Sequence, residues 1–446
     1  MIRFWLNGRE ITVKEMSPTT TLLQYLRLHR QETGTKEGCA EGDCGACTVA
    51  LLDPDALAGA AYRAVNSCLL LLPMVHGRHV VTVEGLADDA GPHPVQRVLS
   101  ESLGSQCGYC TPGVVMSMFE ACYRSDIDAE WKVDDQMCGN LCRCTGYRPI
   151  REATAEIAGL LPADRFSACK DAPSEARSPL TLSYGGQRYF APRDVDELFT
   201  ILNEHPDYRF VAGATDLGLD VTQRHIAFPC LVSLEHIDAF QGIRSIPGGI
   251  SIGASLALSD LESYVATRHL PMARMLRYFG ARQIKHRATL GGNVCNASPI
   301  GDTPPVLLAF DATMVALSAH GTRRIPVDEF FVDYRKTALA PGEVLARVEL
   351  PDVPLGARAS AYKVSKRREL DISAVASAYL VETDDSGIVT RARLAYGGMA
   401  ATPKRAFSVE QALMGKVWSL ESVMAAVQEF PNDFTPMSDH RGSAWY

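Results

Sequence analysis

Cysteines are the side chains in this sequence best suited to redox or metal chemistry, and eight of its thirteen fall into two groups. In the first group Cys39, Cys44 and Cys47 are spaced C-x4-C-x2-C, and Cys68 follows. Four thiolates with this spacing are typical of [2Fe–2S] ligation. Glycines between the cysteines allow backbone N–H groups to approach the sulfur atoms closely. Zinc is the alternative, but structural zinc sites favour C-x2-C pairs, so we expect an electron-carrying cluster.

The second group consists of two close pairs, Cys107 with Cys110 and Cys142 with Cys144. Both pairs come directly before predicted helix starts, where free N–H groups and the positive end of the helix dipole favour an anionic cluster. Cys138 is nearby, so that the run from 138 to 144 offers three cysteines for two ligand places. Zinc also suits this spacing and stays open as an alternative. We expect a second [2Fe–2S] cluster here.

Composition and charge restrict the class of protein. The chain has 446 residues, 46% of them hydrophobic, and a net charge of −8. It has no basic stripe that could neutralise phosphates, which argues against nucleic-acid binding. It also has no run of 18 apolar residues, so we expect no membrane-spanning helix. The first thirteen residues predict a β-hairpin rather than a signal peptide, and we therefore expect a cytoplasmic protein with reduced thiols.

The order of secondary-structure signals predicts an α+β multidomain protein. Short strands and one helix at 1–84 predict a β-grasp domain of the plant-type ferredoxin kind, and 85–161 predict a helical bundle around the second cysteine group. Residues 162–180 lack periodicity and are rich in Pro, Ser and charge, which is typical of a linker. Alternating strands and helices predict an α/β domain at 181–345, and 346–446 predict a C-terminal α+β domain.

Turn residues, prolines and short periodic stretches make three of these structural predictions more specific. Asn7-Gly8 is expected to close the N-terminal hairpin. Pro112 and Pro149 are each expected at the first position of a helix, the second helix carrying its apolar face as far as Leu160. A strand at 393–396 and a helix at 420–427 are expected near the C-terminus.

Two small-residue loops in the α/β region suit a phosphate-bearing cofactor. Residues 209–216 predict a strand, a small-residue loop and a helix start, an arrangement whose backbone N–H groups can bind a pyrophosphate. Residues 288–302 combine adjacent glycines with Asn293 and Asp302, and long polar loops inside compact domains are usually functional. The chain lacks a G-x-G-x-x-G after a first strand, so a Rossmann dinucleotide site is not expected.

Taken together, these stretches resemble the xanthine dehydrogenase/aldehyde oxidase family of molybdenum hydroxylases. The resemblance covers nearly the whole chain and rests on five sequence stretches, E-G-C-A-E-G-D-C-G-A-C-T, Q-C-G-Y-C-T-P-G, N-L-C-R-C-T-G-Y-R-P-I, A-T-L-G-G-N and Y-G-G-M-A-A-T-P. It is similar above all to the small subunits of bacterial members, in which iron–sulfur and FAD domains share one chain. It implies an electron-transfer subunit of a purine-metabolising xanthine dehydrogenase, which converts hypoxanthine and xanthine to urate.

The resemblance also implies cofactors and partners. This chain would hold two [2Fe–2S] clusters and FAD, with NAD as the acceptor. A large partner subunit would hold molybdopterin and the substrate, in an (αβ)2 heterotetramer, so no residue here is expected to be catalytic. Electrons would pass through the second cluster, the first cluster and FAD. The alternatives are a molybdenum hydroxylase of the aldehyde, carbon monoxide or nicotinate type, and a flavin-independent electron-transfer adaptor.

Finally, the resemblance implies ligands for each cofactor. It assigns the first cluster to Cys39, Cys44, Cys47 and Cys68, and the second cluster to Cys107, Cys110, Cys142 and Cys144, leaving Cys138 without a ligand role. The implied FAD contacts are Ala212, Gly213, Ala214, Thr215, Asp216, Phe279, Ala288, Thr289, Gly292, Asn293, Asp302 and Lys363.

Overall fold

The computed structural model of the chain describes residues 1–53, 62–168 and 178–446. Helices and strands occur throughout these ranges, which confirms the α+β multidomain class. In chain order, the β-strands are β1 (Ile2–Leu6), β2 (Arg9–Val13), β3 (Thr48–Leu52), β4 (Tyr62–Asn66), β5 (His79–Val81), β6 (Leu180–Tyr184), β7 (Gln187–Ala191), β8 (Tyr208–Val211), β9 (Cys230–Ser233), β10 (Ile243–Ile246), β11 (Gly249–Gly253), β12 (Thr313–Ser318), β13 (Gly321–Pro326), β14 (Phe331–Asp333), β15 (Lys336–Thr337), β16 (Val344–Pro351), β17 (Arg358–Val364), β18 (Val375–Thr383), β19 (Val389–Gly397) and β20 (Lys404–Arg405).

The α-helices are α1 (Leu22–Gln24), α2 (Pro94–Glu101), α3 (Thr111–Cys122), α4 (Glu130–Met137), α5 (Arg148–Ile157), α6 (Arg165–Ala168), α7 (Val195–Glu204), α8 (Leu217–Thr222), α9 (Leu258–Val265), α10 (Leu270–Arg277), α11 (Arg282–Lys285), α12 (Leu290–Cys295), α13 (Thr303–Ala309), α14 (Val327–Phe330), α15 (Phe407–Leu413), α16 (Leu420–Val427) and α17 (Phe430–Asp433). A π-helical turn continues α1, and 3₁₀ turns form at Leu72–Val75, Val83–Gly85 and Asp238–Phe240. Across the described ranges, every helix is too short or too polar to cross a membrane.

These elements form two compact units. The first unit consists of residues 1–238 and 280–288, and the second of residues 239–279 and 289–446. Residues 280–288 therefore pack with the first unit, although the residues before and after them in the sequence belong to the second unit.

The first unit begins with a five-stranded mixed sheet in the order β2-β1-β5-β3-β4. β1 and β2 form the expected antiparallel hairpin, in which Asn7 and Gly8 have φ angles of 52° and 80°. Both angles are needed for a tight two-residue turn. The Thr21 side chain caps α1 by accepting a hydrogen bond from the Gln24 backbone N–H, and the Gln24 side chain accepts one from the Thr21 backbone N–H. Sheet and helix together form the β-grasp fold predicted for this region.

Helices α2 to α5 form the second part of the first unit. α3 begins at Thr111 with Cys110 as its N-cap, and α5 begins at Arg148. Pro112 and Pro149 are thus second rather than first in their helices, a position that tolerates proline because first-turn N–H groups lack helical acceptors. α5 ends at residue 157, so Leu160 lies beyond it and is exposed, contrary to the predicted longer helix.

The predicted linker at 162–180 is structured at its start. α6 occupies residues 165–168, and the side chain of Phe166 is 7% exposed, packed edge-on against Phe119 at 4.9 Å. An isolated aromatic residue among charged and small residues gives no periodic signal, which is why the sequence did not predict this contact. Residues 169–177 of the predicted linker lie outside the described residues.

The last part of the first unit is a four-stranded sheet in the order β6-β7-β9-β8. β7, β9 and β8 run parallel, with α7 connecting β7 to β8 and α8 following β8. The loop at 212–216 leaves the carboxyl end of β8, which is where ligands usually bind in open α/β sheets. The predicted strand, loop and helix are therefore present.

The described residues of the second unit form three antiparallel sheets, ordered β10-β11-β16-β12-β13, β14-β15 and β17-β18-β19-β20. The predicted domain boundary between 345 and 346 falls inside β16, the central strand of the first of these sheets. A central strand cannot leave its sheet without losing hydrogen bonds on both sides, so the boundary must follow Pro351. β19 contains the strand predicted at 393–396, and α16 coincides with the helix predicted at 420–427.

The aromatic core of the helical region should dominate its stability. Phe119 is fully buried and packs edge-on against Tyr62 and Phe166. We expect Phe119→Ala to lower the free energy of unfolding by about 3–5 kcal/mol, because it removes a buried ring and leaves a cavity. Chemical denaturation measures this change. Leu160→Ala, at an exposed position, is the control and should change it by less than about 0.5 kcal/mol.

Candidate functional site

The first thiol group, Cys39, Cys44, Cys47 and Cys68, belongs to the loop before β3 and the turn after β4. Cys47 immediately precedes β3, and Cys68 follows β4, the strand paired with β3. The Sγ atoms of Cys47 and Cys68 are 3.3 Å apart, and both residues are buried. Cys39 and Cys44 are half-buried and form a second pair through a side-chain hydrogen bond. The four thiols thus form two pairs, as required when each iron of a two-iron cluster binds two thiolates.

Within each pair the shared hydrogen bond lowers the pKa of one cysteine and raises the pKa of the other, which is Cys44 or Cys68. Hydrogen bonding from Cys44 lowers the pKa of Cys39 to about 5, and the backbone N–H groups of Glu41 and Cys44 approach its Sγ at 3.4 Å. Hydrogen bonding from Cys68 likewise lowers the pKa of the buried Cys47. The thiolate is the metal-binding form of cysteine, and each pair already favours one thiolate, so two pairs of cysteines fit a [2Fe–2S] cluster.

Glycine is required at two positions of the loop. Gly42 and Gly45 have φ angles of 83° and 69°, which other residues rarely adopt. A Cβ atom on Gly45 would lie 2.2 Å from the carbonyl oxygen of Gly139, in the helical region. The loop therefore keeps a close backbone contact with the segment that leads to the second thiol group.

The second thiol group, Cys107, Cys110, Cys142 and Cys144, lines one open cavity of about 480 Å³. Cys107 hydrogen-bonds to Cys144, and Cys110 to Cys142, so these thiols also form two pairs. The backbone N–H of Tyr109 contributes most to lowering the pKa of Cys107.

Cys138 lies away from this cavity. It caps the C-terminus of α4, and its thiol donates a hydrogen bond to the carbonyl oxygen of Asp135 at 3.2 Å. The cavity wall is completed by Tyr109, Leu141, Arg143, Gly146 and Tyr147. This placement supports the implied ligand choice, in which Cys138 has no part.

A backbone hydrogen bond joins the loops that carry the two thiol groups. The N–H of Leu141, next to Cys142, donates to the carbonyl oxygen of Cys44 at 3.0 Å. α3 also approaches the first group so closely that a Cβ on Gly113 would lie 2.0 Å from the carbonyl oxygen of Gly45. The two candidate metal centres are therefore neighbours within the first unit.

The first candidate FAD loop, 212–216, and Ala288 lie together in the first unit. Ala214 has a φ of 64°, and its carbonyl oxygen accepts a hydrogen bond from the Gly218 N–H at 2.6 Å. A Cβ on Gly213 would lie 1.7 Å from the carbonyl oxygen of Arg287. Gly213 thus allows two backbone segments to touch, which fits a loop that binds a cofactor through backbone groups.

The second candidate FAD loop lies in the second unit. Thr289 caps α12 by accepting a hydrogen bond from the Gly292 N–H at 3.0 Å, and the side-chain oxygen of Asn293 accepts one from Thr303 at 2.6 Å. Phe279 is half-buried and follows α10.

Asp302 and Lys363, each implied separately as a flavin neighbour, form a buried ion pair. Their side chains are 9% and 3% exposed, and Lys363 Nζ donates to Asp302 at 2.7 Å. Lys363 also donates to the carbonyl oxygen of Tyr278, and Asp302 accepts from the Ser373 hydroxyl. The carboxylate and the ammonium therefore neutralise each other.

Sequence reasoning missed a buried group of charged residues in the first unit, which we call the charge cluster: Glu120, Asp135, Arg282, Lys285 and His286. Arg282 and His286 bind Glu120 at 2.9 and 2.7 Å, and Lys285 binds Asp135 at 2.9 Å. Burial alone would raise the pKa of Glu120, but the interaction with His286 and the charge of Arg282 hold that pKa well below its usual range. The run of polar residues at 282–287, directly before the second Gly-rich loop, was the available signal.

Models of protein families match almost every part of the chain. The matches are a 2Fe-2S iron-sulfur cluster binding domain at residues 4–72, a [2Fe-2S] binding domain at 82–155, the FAD binding domain in molybdopterin dehydrogenase at 182–353 and the CO dehydrogenase flavoprotein C-terminal domain at 360–446. The chain therefore carries two [2Fe–2S] clusters and FAD.

Known proteins give two kinds of match. Xanthine dehydrogenase from Emericella nidulans and xanthine dehydrogenase/oxidase from Rattus norvegicus are each 34% identical over 96% of this chain, but the chain spans only 36% of either protein. Among solved structures, carbon monoxide dehydrogenase from Hydrogenophaga pseudoflava is 28% identical, with a TM-score of 0.55 over 58% of this chain and 90% of that chain. Quinoline 2-oxidoreductase from Pseudomonas putida 86 is 27% identical, with a TM-score of 0.53 over 57% of this chain and 89% of that chain.

Single cysteine substitutions test the choice of cluster ligands. We expect Cys142→Ala or Cys144→Ala to remove one of two EPR signals of the reduced protein, because a thiolate ligand is lost. Cys138→Ala is the matched control and should keep both signals, since this thiol lies outside the cavity that the other four cysteines line. Loss of a signal in Cys138→Ala would reverse the assignment.

Proposed function

Because this chain belongs to the molybdenum hydroxylase family, as its iron–sulfur and FAD portion, we propose that it carries electrons from a molybdenum centre on a partner polypeptide to FAD and then to NAD. The observation that carries this proposal is the backbone hydrogen bond from Leu141 to Cys44, which joins the loops of the two thiol groups in a chain that also has a FAD-binding fold. When bound, the clusters would carry single electrons, and FAD can exchange either one or two. FAD binding also sets aside the flavin-independent adaptor.

The packing around the first thiol group supports the proposed order of the electron-transfer centres. Cys47 and Cys68 share a small apolar core with Leu219 of α8 and Ile284 of α11, both in segments that border the 212–216 loop or lead to Ala288. The same group contacts the second thiol group through its Cys44 carbonyl. It therefore lies between the second group and the FAD-binding part of the first unit, an order that suits transfer from second cluster to first cluster to FAD.

The second thiol group has the exposure expected of an entry point. Cys107 and Cys144 are exposed, and Tyr109, Leu141 and Tyr147 next to them are 40–50% exposed. Exposed apolar and aromatic side chains around a metal centre are typical of a docking surface for a partner that delivers electrons. We propose that the molybdopterin-containing subunit binds here, in an (αβ)2 heterotetramer.

Residue assignments follow the same proposal. The eight cysteines of the two thiol groups are the cluster ligands. The proposed FAD contacts in the first unit are 212–216 and Ala288, and those in the second unit are Phe279, Thr289, Gly292, Asn293, Asp302 and Lys363. Asp302 and Lys363 would contact FAD as an ion pair without net charge, rather than as two separate charges.

Xanthine and hypoxanthine are the substrates we propose for the complete enzyme. Identity of 34% across 96% of the chain favours the xanthine dehydrogenases, and NAD is the acceptor that we propose with this substrate. The second candidate is oxidation of carbon monoxide or of an N-heterocycle such as quinoline, which the solved structures favour at 25–28% identity.

Reconstitution with the co-purifying large chain tests the proposed function. We expect the complex to reduce NAD with hypoxanthine or xanthine, and the chain alone to pass electrons from NADH to a dye but to oxidise no purine. Carbon monoxide and quinoline are assayed in parallel with the same dye. Turnover of one of these and not of xanthine would replace the proposed substrate, and purine oxidation by the isolated chain would refute the two-subunit arrangement.

Cofactor content provides an independent prediction. The purified chain should contain about four iron atoms and four labile sulfides, because each [2Fe–2S] cluster contributes two of each. It should also contain one FAD. Metal analysis, sulfide assay and flavin absorbance measure these ratios, and stoichiometric zinc with half of the iron would contradict the second cluster.

A further inference from the structure

One carboxylate in the first unit is shared by three parts of the fold. Glu120 of α3 is fully buried. It accepts hydrogen bonds from the Ala64 N–H in β4 at 3.2 Å and from Gln136 in α4 at 3.0 Å. It also accepts from Arg282 and His286, in the stretch at 280–288, at 2.9 and 2.7 Å. The β-grasp sheet, the helical region and the stretch leading to the FAD loops therefore meet at this side chain.

Asp135 reinforces the same junction. Lys285 is completely buried and donates to Asp135 at 2.9 Å, and Arg282 lies 3.6 Å from the same carboxylate. A buried ammonium or guanidinium is tolerated only with paired carboxylates and satisfied hydrogen bonds. The side chains of α11 can therefore occupy this position only while the helical region holds both acidic partners.

The other end of the stretch borders the first FAD loop. Arg287 forms a two-point ion pair with Glu235 at 2.6 and 2.9 Å, which fixes its backbone. Its carbonyl oxygen is the atom that a Cβ on Gly213 would strike. The position of Arg287 thus sets the space available to the loop at 212–216.

We propose that Glu120 is a positioning residue for FAD: by holding the stretch at 282–288, it places the backbone against which the 212–216 loop takes its shape. This inference rests on the proposed FAD contacts at 212–216. Its consequence is that the helical iron–sulfur region, which contains no proposed FAD contact, controls the affinity for FAD.

The test measures the FAD dissociation constant of the deflavinated full chain, by flavin fluorescence, with the clusters in place. Glu120→Gln keeps the shape but removes the carboxylate nearest to Arg282, so that the buried Arg282 and Lys285 then share the Asp135 carboxylate. We expect it to raise the dissociation constant by about tenfold or more, with both EPR signals retained. The double variant Glu120→Gln with Arg282→Gln should recover most of the affinity, because neutralising both partners removes the excess of buried positive charge.

Two further variants separate the possible outcomes. Glu410→Gln removes a buried carboxylate paired with Arg405 at 2.6 Å in the second unit, so it should lower the melting temperature without changing the FAD dissociation constant. Gly213→Ala should weaken FAD binding directly, through collision with the Arg287 carbonyl.

If Glu120→Gln lowers only the melting temperature, as Glu410→Gln does, while Gly213→Ala weakens FAD binding, the positioning role is wrong and the FAD loop stands. If neither Glu120→Gln nor Gly213→Ala weakens FAD binding, the loop assignment fails together with the inference. Should Glu120→Gln not fold, Glu120→Asp keeps the charge with a shorter reach. It must then show a weaker affinity for FAD with intact EPR signals, and unchanged affinity would overturn the proposal.

Discussion

Ionised side chains can leave water only in compensated groups, and this requirement organises the first unit. Glu120 and Lys285 are fully buried, and each is compensated by charges from another part of the unit. Removing one partner of such a pair typically costs about 3–5 kcal/mol, because the other charge stays buried without compensation. Apolar contacts change gradually when two surfaces slide, whereas hydrogen-bonded charges lose most of their stabilisation within a small displacement. The three parts of the unit are therefore fixed in one arrangement.

A fixed arrangement matters because the two thiol groups touch through backbone atoms. Gly45 and Gly113 have no Cβ, and either Cβ would overlap a carbonyl oxygen of the facing segment. Because these two glycines have no side chain, the backbone segments can approach until the carbonyl oxygen of Cys44 and the backbone nitrogen of Leu141 are 3.0 Å apart. Electron exchange between metal centres depends strongly on their separation, so a contact without intervening side chains is a direct advantage. Glu120 of the charge cluster lies seven residues after Gly113 on α3, and therefore on the same helix face, where it helps to hold this contact in place.

The sequence predicted the parts of the site that are local in the chain. The spacing of the cysteines placed each group in a loop next to a strand or helix start, and Asn7-Gly8 predicted its hairpin. The contacts that depend on distant residues were not predictable. Phe166 is a lone aromatic residue in a polar segment, and the domain boundary was misplaced because β16 pairs with strands on both sides. α11 is four residues long, too short for periodicity to reveal, and its charged residues would ordinarily indicate an exposed surface.

The second unit also contains a buried ion pair, which lies among its own candidate FAD residues. Asp302 and Lys363 are 61 positions apart in sequence, and Glu120 and Arg282 are 162 apart, yet both pairs are buried and hydrogen-bonded. In each case the pair joins a helix or its cap to an element that another fold region contributes. Charged residues that the resemblance assigns to cofactor binding can therefore act first by placing the backbone, and the loops then bind FAD through N–H groups. A substitution at such a residue changes cofactor affinity through backbone position as well as through any direct contact, so the two effects separate only when both partners of the pair are changed together.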